Sequence, residues 1–501
     1  MLFPTTRNAN TLILRVGKVL LPSLLKRGVQ SQMRPIFNVS LTGVLIMAIA
    51  AATSTSLAAQ NVAPHPSKRL VLCLDGTWNN PYDEHKRRDG HTVLKPTNPL
   101  KTCRAVMPFD AKAGRVQVAY YDIGVGSLAE YPGTSNALLH WSDRVLGGAY
   151  GAGFEGNVEN ALHFLVLNFE KGDDVFVFGF SRGAATARAV TNFLDWNGGL
   201  PEKEDAYYLP RLFRAYVISH GAAGVAQKEL DAINNDRATL EHPAKPALKP
   251  FRPVRVAYLG VWDTVMALGS RFRAAHETTS AASRSFYAGS TPAACVEYAR
   301  QALAIDEARF DFRPEVWKGK RGGQRMEQRW FAGVHSNVGG GYGNDGLANI
   351  TFHWILDGAR EQGLNIDEEY VSFFRPFARH SLYQSSSALY TTLEFLRGRV
   401  GRGKRSLVDA MAQGNADIDK SVIDRMQAAP GDLSTGKDDQ PVTKPYRPEN
   451  VMVFLAAQPD VDAYLKKIGA KGALPDDVKK HIEELRRSGR PPAAQHVVVQ
   501  Q

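Results

Sequence analysis

The chain has 501 residues, which suits one large α/β domain with insertions or two to three domains. Hydrophobic residues make up 44% and charged residues 22%, ordinary values for a globular protein with a sizeable core. Of the net charge of +11, six units fall in residues 1–59 (Arg7, Arg15, Lys18, Lys26, Arg27 and Arg34, with no acid), and the +5 left over is too mild to argue for a nucleic-acid partner.

The N-terminus reads as a targeting region over residues 1–59. Arg34 is followed by the uncharged stretch IFNVSLTGVLIMAIAAATSTSLAAQ. Its apolar centre, Leu41 to Ala52, has the length of a signal-peptide core, and SLAAQ offers a cleavage site near Ala58 or Ala59. A start at Met33 gives a short basic leader, so residues 1–32 are an over-long start or a long leader. The reading is export, to the periplasm or beyond. An uncleaved membrane anchor is the alternative, and the apolar core is short against a span of roughly 20 residues.

After a polar linker at 60–68, RLVLCLDG (69–76) predicts a buried strand ending at a turn. Helix is expected over 98–107, then strand and glycine-rich loop in RVQVAYYDIGVG (115–126). Val158, Leu162, Leu165 and Phe169 recur at helical spacing, a stripe suited to packing on a sheet. DVFVFGF (174–180) is the next strand and 184–196 the next helix. An insertion at about 197–250 precedes the strand PVRVAYLGVWD (253–263), and a second is placed at about 264–290. RWFAGVHSNVGGGYG (329–343) reads as strand into glycine loop, and 346–363 as a helix closed by glycine. Strands alternating with helices predict an α/β fold of the α/β-hydrolase kind: a mostly parallel twisted sheet with helices on both faces over 69–363. Residues 364–501 read as a mixed C-terminal extension ending in a poorly ordered tail.

Gly-Phe-Ser-Arg-Gly (179–183) lies where a strand meets a helix, the setting of a nucleophile elbow. The bare pattern is weak; its context strengthens it. A serine nucleophile needs a base, and the base an orienting acid. In chain order, Asp263 closes a strand 82 residues after Ser181, and His335 follows another strand 72 residues later. Both therefore reach the same sheet edge as Ser181. Rival acids are Asp306 and Asp345. Asp263 has a bland reading as a helix cap, and His276, His220 and His353 fall in insertions or mid-helix. The oxyanion donors expected are the N–H of Arg182 and that of Gly76 or Thr77 in the turn DGTWNN (75–80), which also reads as a plain Asp-Gly turn. The Asp-Gly-Thr of that turn matches phosphatases of the haloacid dehalogenase type, but the nucleophilic Asp they require is replaced by Cys73. Cys73, Cys103 and Cys295 fit no metal spacing, and Cys73 reads as core; no metal and no cofactor is expected. An odd count leaves at least one thiol unpaired if export brings a disulfide.

Taken together, LCLDGTWNN, YYDIGVGS with GGAYGAGFEGNV, FGFSRGAATAR, VWDTVMALG and FAGVHSNVGGGYGNDGLANITFHWIL resemble one family. KSVIDRM (421–427) and YRPENV (446–451) extend the match. It is the α/β-hydrolase domain of unknown function shared with the first class of type VI secretion lipase effectors. The resemblance implies a Ser-Asp-His esterase acting on phospholipids, with Ser181 as nucleophile, Asp263 as acid and His335 as base. Two departures stand out: Asn337 occupies a place where the family commonly has Asp, and a signal-peptide-like segment precedes a domain whose effector relatives are typically delivered without one.

The expected substrate is therefore a lipid or another ester, with peripheral membrane contact. LYQSSSALYTTLEFLRGRVGRGKR (382–405), apolar and aromatic residues followed by five basic ones in 397–405, is a candidate contact surface. A solvated surface helix is its plain alternative. The two insertions offer lids. No nucleic-acid recognition motif accompanies the basic run, and no protein partner can be named. An exported esterase on a soluble or polymeric ester, and a non-catalytic envelope protein keeping the fold, remain the other readings.

Overall fold

The computed structural model describes residues 67–76, 84–86, 90, 92–124, 150–240, 251–266, 286–384, 404–408, 416–436 and 438–488. All belong to the unit Pro66–Gln501. The targeting region, Thr77, His276, most of the second insertion, most of 382–405 and the tail after 488 lie outside the described residues.

Eight strands form the main sheet. In chain order they are β1 (Arg69–Leu74), β2 (Phe109–Asp110), β3 (Arg115–Asp122), β4 (Asp174–Phe180), β5 (Arg255–Trp262), β6 (Val296–Ala304), β7 (Arg325–Phe331) and β8 (Ala416–Ile418). Their spatial order is β8-β7-β6-β5-β4-β1-β3-β2, and only the edge pair of β2 with β3 is antiparallel. This is the expected mostly parallel α/β sheet. The expected helices form as α1 (Asn98–Ala105), α2 (Tyr150–Asn168), α3 (Arg182–Asn197) and, after a short α4 (His335–Gly339), α5 (Gly346–Glu361).

The strands are apolar on both sides because both faces are covered. In β1, Leu70, Leu72 and Leu74 pack with α2 and α3, while Val71 and Cys73 face the layer that contains α5. The stripe Val158, Leu162 and Leu165 of α2 is fully buried in the first layer, as its spacing requires. The helices Leu209–Ile218 and Val225–Leu240 of the first insertion add Leu212, Phe213, Tyr216 and Ile233 to that layer. A third cluster gathers Leu303 and Trp330 from β6 and β7 with Ile418 of β8 and residues of four C-terminal helices, Lys420–Gln427, Glu449–Ala456, Val461–Lys467 and Asp476–Arg487.

The connectivity positions the site. From β1 the chain moves to β3 on one side, then crosses through α2 to β4 on the other. Open α/β sheets bind ligands at such a reversal, outside the carboxyl ends of the strands. Parallel register brings those ends level: Leu74 pairs with Gly179, Phe180 with Trp262, Trp262 with Ala302 and Ala304 with Phe331. Asp75, Ser181, Asp263 and His335 each follow one of these ends.

Candidate active site

Ser181 stands alone between β4 and α3, with φ 58° and ψ −121°. A side chain rarely tolerates positive φ, so the surroundings must hold this turn in place. Ser181 N–H donates to Trp262 O at 3.0 Å, and Ser181 O accepts from Ala185 N–H at 3.2 Å and Val265 N–H at 3.3 Å. The flanking glycines are required by contact. A Cβ on Gly183 would lie 2.2 Å from Leu74 O and 2.5 Å from Asp75 O, and one on Gly179 would lie 2.4 Å from Gly183 O. The start of α3 is thereby pressed against the end of β1.

Asp263 also has positive φ, 43°, and is fully buried. It caps no helix; its carboxylate accepts four hydrogen bonds. His335 Nδ1 lies 2.6 Å from Oδ2. Arg405 reaches both oxygens, Nη1 to Oδ1 at 2.6 Å and Nη2 to Oδ2 at 2.9 Å, and Ala304 N–H donates to Oδ1 at 3.0 Å. With a carboxylate as its partner, Nδ1 is the protonated nitrogen of a neutral imidazole. The other nitrogen, Nε2, is buried and has no hydrogen-bond partner. Phe180, the neighbour of Ser181, lies with its ring centroid 4.6 Å from that of His335, and Phe312 meets the ring edge-on at 5.0 Å.

The electrostatics favour this protonation pattern. Burial alone would raise the Asp263 carboxyl, but the charge of Arg405 and the bond from His335 outweigh it and hold it well below the usual carboxylate range. Burial pushes the His335 imidazole down, Asp263 pulls it back in part, and it stays below its ordinary value. His335 is therefore neutral near pH 7 and able to accept a proton at Nε2.

The sequence places His335 in a glycine loop; the structure instead makes it the first residue of α4, whose Gly339 packs where a Cβ would strike the Phe180 ring. The rival groups are occupied elsewhere. Asp345 pairs with Lys101 at 2.8 Å, Asp306 accepts from Gly333 N–H and Tyr446 OH, and His353 Nε2 meets Phe374 O. His220 stacks near Phe286 in the first insertion.

Of the expected oxyanion donors, Arg182 is the first residue of α3. Gly76 N–H donates to its own Asp75 Oδ1 at 2.7 Å, so an oxyanion would have to share or displace that bond. Asp75 is a buried anchor: its Oδ2 also accepts from Thr97 Oγ1 and from Tyr121 OH. Thr77 lies outside the described residues. Asn337, the departure noted in the sequence, is a tie. Its Nδ2 donates to Ser381 O at 3.0 Å and its Oδ1 accepts from Tyr383 N–H at 3.1 Å.

One residue overturns an expectation. Arg405, counted with the basic cluster of a surface stretch, is buried, and its guanidinium is committed to Asp263, Ala304 O and Phe312 O. It is not available to lipid headgroups. Nothing local in RGRVGRGKR marks it out, because its partner lies 142 positions away.

Comparison with known families decides the wider relationship. The model for the T6SS phospholipase effector Tle1-like catalytic domain matches residues 68–358. The chain belongs to this family. An uncharacterized protein of Saccharomyces cerevisiae (strain ATCC 204508 / S288c), YEL023C, is 24% identical over 261 residues, covering 50% of this chain and 33% of the relative. The chain thus spans about a third of the length of that curated relative. Among solved structures, an uncharacterized protein from Pseudomonas aeruginosa aligns over 89% of this chain and 65% of its own at 15% identity and a TM-score of 0.35. The Tle1 effector bound to the VgrG spike of the type 6 secretion system aligns over 69% and 83% at 13% identity and a TM-score of 0.34. The Tle1-like match ends within α5, ahead of both Arg405 and β8. No described helix is long and apolar enough to cross a membrane.

Proposed function

We propose that this chain is a serine phospholipase whose nucleophile is Ser181, with His335 as general base and Asp263 as orienting acid. The observation that carries the reading is the buried pair Asp263–His335, joined at 2.6 Å with Nε2 left unpartnered, together with Ser181 on a positive-φ strand-to-helix turn whose neighbour Phe180 packs on the His335 ring. Membership of a phospholipase effector family supports the substrate class.

In this mechanism Nε2 of His335 takes the Ser181 hydroxyl proton as Oγ attacks the acyl carbonyl. The N–H of Arg182 supplies one oxyanion donor, and the DGTWNN turn supplies the second. His335 returns its proton to the departing lysophospholipid oxygen. The acyl-Ser181 ester is then hydrolysed by water activated through the same nitrogen, which frees the fatty acid and restores the serine. Throughout, Asp263 holds Nδ1–H and stabilises the imidazolium that forms. Export to an envelope compartment, as the N-terminal segment suggests, would place the enzyme beside its lipid.

The test uses full-length protein. A fluorophosphonate probe is expected to label Ser181, and Ser181→Ala is expected to lose both labelling and hydrolysis of phospholipid vesicles while keeping its thermal transition. Retained turnover in that variant contradicts the mechanism. Turnover of short soluble esters with untouched vesicles keeps the triad and removes the phospholipase assignment.

A further inference from the structure

The Arg405 guanidinium binds both oxygens of the Asp263 carboxylate and shares Oδ2 with His335 Nδ1, yet the proposed triad has no use for it as a reactant. Its side chain is only 2% exposed, and Asp263 is 0% exposed. Four directed bonds hold it: both carboxylate oxygens of Asp263, Ala304 O at 2.7 Å and Phe312 O at 2.6 Å. Its own backbone carbonyl is held in turn by Asn450 Nδ2 at 3.2 Å, and the same amide group donates to Ile305 O at 3.1 Å. The guanidinium thus links the end of β6 and the 310 turn Phe310–Phe312 to a single carboxylate, while the Arg405 backbone is tied to the C-terminal helix that starts at Glu449.

We propose that Arg405 is a positioning residue for the Ser181 reaction: it locks the rotation of the Asp263 carboxylate and neutralises part of its charge, so that His335 remains a free base in mildly acidic surroundings. The proposal rests on the serine-hydrolase reading above. An orienting carboxylate with full charge stabilises an imidazolium and raises the basicity of the ring. A guanidinium bound to both of its oxygens removes much of that support, while the fork geometry fixes the carboxylate plane that meets Nδ1.

Other charges face His335 and are accounted for. Glu307 Oε2 accepts the His335 backbone N–H at 3.2 Å and is itself paired with Arg309 at 2.9 Å. Asp306 is bonded to Gly333 N–H and Tyr446 OH, with Arg425 acting on it from the C-terminal side. Tyr342, from the loop after α4, lies in the field of Arg309 and Glu307. None of these binds the Asp263 carboxylate; among the described cations Arg405 is the one that does. Arg405 also falls outside residues 68–358, the part of the chain that the Tle1-like catalytic-domain model matches.

The experiment is the rate of Ser181 labelling by a fluorophosphonate between pH 4 and 9, for full-length wild type, Arg405→Gln and Arg405→Lys, with near-ultraviolet circular dichroism to confirm folding. Labelling needs neutral His335, so the rate falls as pH drops through its titration. For wild type the acid limb is expected below the ordinary imidazole value of about 6.5. Arg405→Gln leaves Asp263 fully charged, and its limb is expected about one pH unit higher, with the plateau reduced roughly tenfold or more. Arg405→Lys keeps the charge but loses the fork; its limb should stay near wild type while its plateau falls. A folded Arg405→Gln protein with an unmoved limb overturns the proposal, whatever its rate. So does an Arg405→Lys limb displaced as far as that of the glutamine variant, or a lysine variant unchanged in both limb and plateau. If Arg405→Gln does not fold, the wild-type limb and the lysine variant decide: a wild-type limb at or above about 6.5 overturns it. Absence of any Ser181 label in wild type would instead overturn the serine-hydrolase reading.

Discussion

At the scale of single residues, contact distances decide which positions tolerate change. Gly183→Ala puts a methyl against backbone that cannot step aside, Leu74 O at 2.2 Å. The expected cost is about 1–3 kcal/mol in a thermal melt, together with slower Ser181 labelling because the turn must open. Asp263→Asn keeps the volume but offers His335 Nδ1 an amide and faces Arg405 with a neutral group. Its turnover of phospholipid vesicles is expected to fall about 10³–10⁴-fold. The pairing of Asp263 with His335 could be anticipated from sequence because the chemistry demands three groups in a fixed chain order at strand ends. Arg405 could not. A basic residue inside RGRVGRGKR is chemically identical to its solvated neighbours until the fold brings Asp263 to it. The DGTWNN turn is only half legible in the sequence: an Asp-Gly turn at a strand end is visible, but not that Asp75 engages Gly76 N–H itself.

At the scale of elements, apolar strands announce themselves and polar ones do not. RLVLCL, DVFVFGF and RVAYLGVW are buried runs and were readable as strands. The β6 sequence VEYARQALA was not, although it lies between β5 and β7. Its Arg300 and Gln301 break the apolar pattern, yet both are buried because they are paired: Arg300 with Trp354 O at 2.6 Å, Gln301 with Thr264, Gln328 and Glu315 O. Such pairing between distant segments leaves no local trace. The α4 element gives a sharper test. Asn337 uses its amide hydrogens on Ser381 O, a bond no ionised carboxylate can make. Asn337→Asp is expected to lose about 1–3 kcal/mol at neutral pH. Burial raises the pKa of the new acid in the folded state, so its protonated form, which can donate again, is favoured there. The deficit should therefore shrink as pH falls from the raised value toward the ordinary Asp range, be smallest below that range, and return as pH rises to the raised value, which paired melts at acid and neutral pH will show.

At the scale of the whole molecule, the sheet is completed by residues far down the chain. The strand β8 pairs with β7 through Ala416–Gln328 and Ile418–Trp330, and the helices after it bury Trp330 and Leu303 in the third core cluster. A chain stopped at residue 403 loses that cluster, the clamp on Asp263 and the Asn450 support together. It is expected to show no cooperative thermal transition and no Ser181 labelling, whereas full-length protein is expected to show both. The order of these segments bears on biosynthesis. A polypeptide leaves the ribosome from its N-terminus, and domains fold as their last contacts emerge. Ser181 and His335 are made well before Arg405, β8 and the helices that end at Arg487. On the proposed mechanism, a nascent chain of this protein therefore carries Ser181 and His335 while Asp263 is not yet held, and the site is completed only once nearly the whole message has been translated.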